Sequence, residues 1–175
     1  MKIIKNPSSK NWQEVLKRPT QTVDDIEATV NEIFAEVRSK GDQAIEKYTS
    51  LFDGIAIKNI EVSPEEIQQA EKQISAELKE AIQLAKENIT KFHAAQKTDR
   101  VSVETQNGVK CWQEKRPIQK VGLYIPGGSA PLFSTILMLA VPAQLAGCQE
   151  IVLCSPPDKK GNIHPAILYT ANLCG

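Results

Sequence analysis

The sequence predicts an α/β chain: a helical N-terminal region that includes a β-hairpin, followed by a β-α-β-α run that begins a parallel sheet. Three observations carry that assignment. Apolar residues recur at three- and four-residue intervals as far as Phe92, which is the period of one buried helix face. From Val101 the period drops to two, with an Asn-Gly step in the middle. After Val121, short apolar strands alternate with apolar helices, punctuated by Pro and Gly.

The elements follow in order. "SSKNWQEVLKRP" offers Ser8 or Ser9 as a cap, Trp12, Val15 and Leu16 on one face, and Pro19 as a stop, which makes a short arm. In "TVDDIEATVNEIFAEVRSKG", Thr22 and Asp25 form a capping-box pattern, Ile26, Val30, Ile33, Phe34 and Val37 share one face, and Gly41 is a C-cap. A shorter helix with Ala44, Ile45, Tyr48, Leu51 and Phe52 completes a helical pair. From Ser63 a long amphipathic helix is expected, capped by Ser63 with Pro64 in its first turn and Glu66 completing the box. Its face runs Ile67, Ala70, Ile74, Leu78, Ile82, Ala85, Ile89 and Phe92, and unbroken it is on the order of 45 to 50 Å long. Val101, Val103 and Thr105 then lead into Gln106-Asn107-Gly108 and back through Val109, Cys111 and Gln113, with Trp112 on the face opposite Cys111.

Val121 to Ile125 is a strand, "PGGSAP" is a loop, and a helix begins near Ser134 with Ile136, Leu137, Leu139, Ala140, Ala143 and Leu145 on its face. Pro142 lies inside that helix, so a kink or break is expected there, and Gly147 ends it. "IVLC" is the second strand, and "HPAILYTANLCG" is a further helix with His164 in the preceding loop. Two parallel strands with a right-handed crossover are the start of an incomplete Rossmann-like β-α-β-α domain, and because two strands do not make a self-sufficient sheet, the chain is expected to be part of a longer one.

Composition narrows the partners. The 21 Lys and Arg balance 21 Asp and Glu, and no basic stripe occurs, which argues against nucleic acid and anionic membranes. The N-terminal stretch lacks the apolar core of a secretory signal, and "ILMLAV" is too short to span a bilayer, so a cytoplasmic protein is expected. Cys111, Cys148, Cys154 and Cys174 form no CxxC and have no close His, and each lies in or beside an apolar run; buried, reduced thiols are expected. His93 has no second ligand at helical spacing and reads as a surface or helix-end residue.

"YIPGGSAP" is the candidate site. It lies at the carboxyl end of a strand and before a helix N-terminus, where such folds bind ligands, and its glycines permit close backbone approach. It matches neither the dinucleotide fingerprint nor the Walker spacing, so a ligand loop and a tightly packed structural turn both stand. The C-terminal third, from Val121, contains no nucleophilic triad, paired carboxylates or metal-ligand spacing.

"RPIQKVGLYIPGGSAPLFSTILMLAVPAQLAGCQEIVLCSPP", with "VETQNGVKCWQEKRP" before it, "ILYTANLCG" after it and "VRSKGDQAIEKYTSLFDG" upstream, closely resembles histidinol dehydrogenase. The resemblance implies an NAD-dependent, zinc-requiring enzyme, a homodimer of more than twice this length, that oxidises L-histidinol to L-histidine through the aldehyde. It implies a terminal arm at 1–19, part of a first large α/β domain at 20–120 and the beginning of a second, NAD-binding Rossmann-like domain at 121–175. It implies that Tyr124, the tyrosine of the "YIPGG" segment, contacts NAD rather than packing in a core. It also implies that the zinc ligands, the acid/base pair and the other cofactor contacts lie beyond Gly175, so that no catalytic or metal residue is assigned here. The alternative is another α/β enzyme holding a nucleotide or phosphorylated ligand at the Gly-Gly loop.

Overall fold

A computed structural model describes residues 4–17, 23–57, 59–127 and 130–175. Pro19, the Thr22–Asp25 capping box and Gly128 of the candidate loop lie outside the described residues and side chains. The chain divides into two compact units, Met1–Phe52 and Asp53–Gly175.

In the first unit, a 3-10 turn (Ser9–Asn11) leads into α1 (Trp12–Val15). Neither start is capped by a serine side chain as expected; Trp12 Nε1 instead donates to the Pro7 carbonyl at 3.1 Å, pinning the turn from the side. The next helix, α2 (Val23–Lys40), stops at Gly41, whose φ of +58° suits glycine and whose N–H reaches Val37 O at 2.9 Å. Then α3 (Asp42–Asp53) begins at once. The expected apolar face of α2 is only partly covered: Ile33 and Val37 are half-buried, whereas Ile26, Val30 and Phe34 stay exposed. The reason is size, because α3 brings only Ala44, Ile45, Tyr48 and Thr49 inward, and its Leu51 and Phe52 are themselves exposed.

A polar clamp joins these two helices. Glu36 of α2 accepts from Lys40 Nζ at 2.7 Å, from Lys47 Nζ at 2.6 Å and from Tyr48 Oη at 2.7 Å, and its side chain is only 13 % exposed. The Lys40, Lys47 and Tyr48 donors hold its carboxyl at about 2 instead of 4.5, and the Glu36 carboxylate pushes the Tyr48 hydroxyl from 10.0 up to about 12. Below pH 4.5 the unfolded chain binds the Glu36 proton and the folded chain does not, so the clamp's stabilisation is complete above 4.5 and is lost as pH falls towards 2. The tyrosine works in the opposite sense: its contribution is complete below pH 10 and lost as pH rises through 12. The expected result is that Glu36→Gln flattens the fall of the thermal midpoint between pH 4.5 and 2; an acid limb identical to the parent's would contradict the clamp.

In the second unit, the helix expected to run unbroken from Pro64 is two: α4 (Pro64–Gln73) and α5 (Ala76–Ala94). The Ser63–Glu66 box forms as read, with Glu66 N donating to Ser63 Oγ at 3.3 Å and Ser63 N donating to Glu66 Oε2 at 2.8 Å. The break arises because Ile74 turns extended, with φ −91° and ψ 128°, and buries its side chain, while Ser75 starts a new helix by accepting from Leu78 N at 3.2 Å. A second cap was hidden inside a continuous apolar period.

The hairpin forms as expected from β1 (Val101–Gln106) and β2 (Val109–Gln113), antiparallel, with Gly108 at φ +82° and a bulge between Glu104 and Gln106. Both of its faces are exposed, Val101, Val103, Val109 and Trp112 included. The parallel pair is β3 (Lys120–Tyr124) and β4 (Glu150–Cys154), joined by α6 (Phe133–Ala146), and α7 (Pro165–Leu173) follows. Val121, Leu123, Ile151 and Leu153 are half-buried, while Gly122, Tyr124, Val152 and Cys154 alternate onto an exposed face.

The core lies between these helices and the strands: Ile82 of α5, Ile125 just past β3, Ile136, Leu137, Ala140 and Val141 of α6, Ile167 of α7, and Cys174. Val141, 2 % exposed, takes the inward place expected of Leu139, which is 39 % exposed. Because α6 is apolar almost all round, its sequence carries no phase from which to choose between them. Pro142 does not break α6, which continues to Ala146; the Met138 carbonyl that its missing N–H would have satisfied belongs to an exposed residue, where water can serve. The carboxyl end of α7 is closed from two sides, by Lys86 Nζ donating to Leu173 O at 2.6 Å and by Gln144 Nε2 donating to Cys174 O.

Only Cys174 is buried as expected of all four thiols, and burial pushes it up from its ordinary pKa. Cys148 is intermediate, and Cys111 and Cys154 are exposed because, among the described residues, nothing covers the hairpin or the outward face of β4. Among the described residues, no helix is long and apolar enough to cross a membrane.

Candidate functional site

The site is built on the carboxyl ends of β3 and β4. Tyr124 is the last residue of β3, directly paired with Cys154, and is 64 % exposed on the open face of the sheet. The next residue, Ile125, is fully buried and fixed by its N–H donating to Cys154 O at 2.9 Å. The chain therefore leaves the sheet with one side chain anchored in the core and the preceding one open to solvent. Burial among apolar neighbours, the ordinary reading of an aromatic at a strand end, does not describe Tyr124 in this chain.

Gly127 answers half of the question raised by the two glycines. A Cβ placed there would stand 2.8 Å from Pro156 Cγ, so the loop after β3 and the Pro156–Pro157 loop after β4 touch through the missing side chain. Its glycine requirement is a packing one, loop against loop, and its φ is not in the left-handed region.

Beside this contact lies a hollow of about 220 Å³, bounded by Pro126, Gly127, Pro156, Asp158, His164 and Ile167, among others. Asp158 is the hinge of its far wall. Its Oδ1 accepts from Lys160 N at 2.8 Å and Asn162 N at 2.9 Å, and Asp158 N donates to Asn162 O at 2.8 Å, so the loop closes on its own carboxylate. The Asn162 and Lys160 amides hold that carboxyl below its ordinary value, which keeps it charged. His164, expected to be a plain loop residue, is the N-cap of α7: Ala166 N donates to its Nδ1 at 3.1 Å. A ring nitrogen that accepts carries no proton, so in the neutral ring the hydrogen is on Nε2. The missed signal was the step His-Pro, a side-chain acceptor directly before a proline suited to the first helical turn.

A larger hollow, about 380 Å³, is lined by His93, Lys97, Lys115, Arg116 and Pro142 and lies at the opposite, amino end of the strands. It does not involve Tyr124 or the Gly127 loop, and open parallel sheets bind ligands at the carboxyl ends. His93 is bound to its own neighbourhood, Nδ1 to Gln96 Oε1 at 2.7 Å. Among the described residues, no three His, Cys, Asp or Glu side chains come together, so these residues do not fit a zinc site. The residues do fit part of a nucleotide site: an open aromatic ring, a proline-walled hollow, one fixed acceptor and one fixed donor.

Comparison with known proteins points to one family. The family model described as histidinol dehydrogenase matches residues 16–175. The chain is 57 % identical to histidinol dehydrogenase of Bacteroides thetaiotaomicron over 175 residues, 100 % of this chain and 41 % of that protein. It is 53 % identical to the enzyme of Pasteurella multocida over 169 residues, 96 % of this chain and 39 % of the other. The crystal structure of histidinol dehydrogenase from Elizabethkingia anophelis superposes with a TM-score of 0.89 at 52 % identity, covering 97 % of this chain and 39 % of that one. The chain thus spans about two fifths of the length of the relatives it matches.

Proposed function

The chain belongs to the histidinol dehydrogenase family, and on that premise we propose that it forms the N-terminal part of a cytoplasmic enzyme that oxidises L-histidinol to L-histidine through histidinal. The observation that carries this reading is identity at 57 % to a histidinol dehydrogenase over all 175 residues. NAD, when bound, supplies the hydride acceptor for each of the two oxidations.

What this chain contributes is binding and placement. Tyr124 offers a flat apolar face to the cofactor at the end of β3, and Ile125, locked in the core, holds that ring in place. The Gly127–Pro156 contact fixes the loop alongside. Residues 121–175 accordingly open the cofactor-binding domain, and residues 20–120 contribute to the other large domain. The zinc ligands and the acid/base pair belong to the part of the protein beyond these residues. The uncovered Phe34, Leu51, Trp112 and Val152 support a whole protein in which further segments and a second copy cover these faces.

Chelation tests the proposal. Full-length protein is expected to lose histidinol-dependent NAD reduction on treatment with a chelator and to regain it with zinc, while residues 1–175 alone give no turnover. Chelator-insensitive activity of the full-length protein, or turnover by residues 1–175, would contradict it.

A further inference from the structure

We propose that the hollow of about 380 Å³ at the amino end of the strands, where Lys97, Lys115 and Arg116 gather, binds the phosphate group of a small phosphate monoester.

Charge is the first observation. The whole sequence balances 21 basic against 21 acidic side chains, yet these three cations line one hollow and, among the described residues, no Asp or Glu lines it. Gathered like charges repel one another, and a doubly charged anion relieves that repulsion. Lys115 Nζ donates to Thr98 Oγ1 at 2.7 Å, a neutral hydroxyl that fixes the ammonium without compensating its charge. Among the described residues, neither Lys97 nor Lys115 forms an ion pair. Arg116 pairs with Glu114 at 2.9 Å, but both side chains are well exposed, so the pair contributes little and leaves further guanidinium N–H donors for a ligand.

Two other roles for these cations are weaker. Cations gather at helix C-termini, and α5 and α6 both end beside this hollow. Their last turns are closed by backbone instead: Gln96 N donates to His93 O at 3.1 Å, Lys97 N to Ala94 O at 3.3 Å and Gly147 N to Gln144 O at 2.9 Å. The nearby acids, Asp99 and Glu114, line a neighbouring hollow that shares Thr98 and Lys115 with this one, and of the three cations they engage only Arg116.

The rest of the lining suits an organic group. Pro117, Pro142 and Leu145 give apolar surface beside the cations, and the volume falls within the range of small-molecule sites, about 300 to 1,000 Å³. A guanidinium with two ammonium groups matches a tetrahedral dianion better than a single carboxylate. The walls come from the segment after α5, the segment before β3 and the end of α6, so a bound anion ties three parts of the second unit together. Sheets of this kind hold their usual ligand at the other end, and the site is therefore independent of the NAD reading.

The test uses full-length protein, titrated calorimetrically at constant ionic strength with inorganic phosphate, glycerol phosphate and glycerol. The parent is expected to bind phosphate with a Kd of about 1 mM or below, to bind glycerol phosphate more tightly and to ignore glycerol, and either anion is expected to raise its thermal midpoint. Lys115→Gln and Arg116→Gln are each expected to weaken phosphate binding about tenfold, the size of one charge-assisted hydrogen bond. Lys115→Arg keeps the charge and is expected to stay within about threefold of the parent, as is Lys72→Gln on α4, a change of charge elsewhere in the same unit. All of these positions are exposed, so the fold is expected to persist in each variant. A parent that binds neither anion overturns the proposal, as does an affinity that Lys115→Gln and Arg116→Gln leave unchanged or that Lys72→Gln lowers equally.

Discussion

Leu137→Ala is expected to destabilise the second unit by about 3–5 kcal/mol, a large share of the roughly 5–15 kcal/mol that holds a typical domain. Leu137 is fully buried on α6, in the cluster that joins Ile82 of α5, Ile125 and Ile167 of α7. Its removal leaves a cavity walled by three helices and the residue that follows β3, and elements held from several sides collapse poorly into the space. The consequence reaches the site, since Ile125 sits in the same cluster and positions both Tyr124 and the loop after it. Met138→Ala, one residue along and 53 % exposed, is the control, with a change within about 0.5 kcal/mol. Denaturant unfolding of the full-length protein, with hydrogen-exchange protection read on α5 to α7, separates the two. Equal losses in both variants would show that the core is not where the structure puts it.

Tyr124→Ala is expected to weaken NAD binding by about tenfold to a hundredfold, the range of an aromatic face stacked on a nucleotide ring. The ring is open, so stability is expected to change by no more than about 0.5 kcal/mol, and affinity and stability are thereby decoupled. Tyr124→Phe retains the face and is expected to keep most of the affinity. Calorimetric titration of NAD into the three full-length proteins checks this. A site that only cradles phosphate with backbone would hardly register either substitution, and unchanged affinity in Tyr124→Ala would remove this residue from the cofactor site.

How much of this was legible in the residues depended on whether the signal was local. The Asn107–Gly108 hairpin, the Ser63–Glu66 box and the Gly41 and Gly147 helix ends were readable because each is decided by a few adjacent residues. The split at Ser75 was not, because the apolar period runs straight through Ile74 and Ser75 and only the burial of an extended Ile74 reveals the second cap. The inward side of α6 was ambiguous for the opposite reason, too many apolar residues rather than too few signals. Burial of the cysteines was over-read, since lying in an apolar run does not place a residue on the covered side of a strand, and Cys154 alternates outward.

The candidate site divided the same way. The strand end and the glycine loop stood out in the sequence because proline, glycine and an apolar run punctuate them, whereas Tyr124 was singled out by the family resemblance, its own pattern reading as core packing. The far wall of the hollow did not, because Asp158 and His164 acquire their roles from folding: a carboxylate closing its own loop, and an imidazole whose proton is placed by a helix N–H. The reason for Gly127 was likewise invisible until Pro156, from the loop after the other strand, was seen against it.

The most direct measurement of the central claim is the stoichiometry of the full-length protein with L-histidinol and excess NAD. Two NADH formed for each L-histidinol consumed, with L-histidine as the product, is the expected result. Absence of NADH formation, or a single NADH with the aldehyde accumulating, would contradict it.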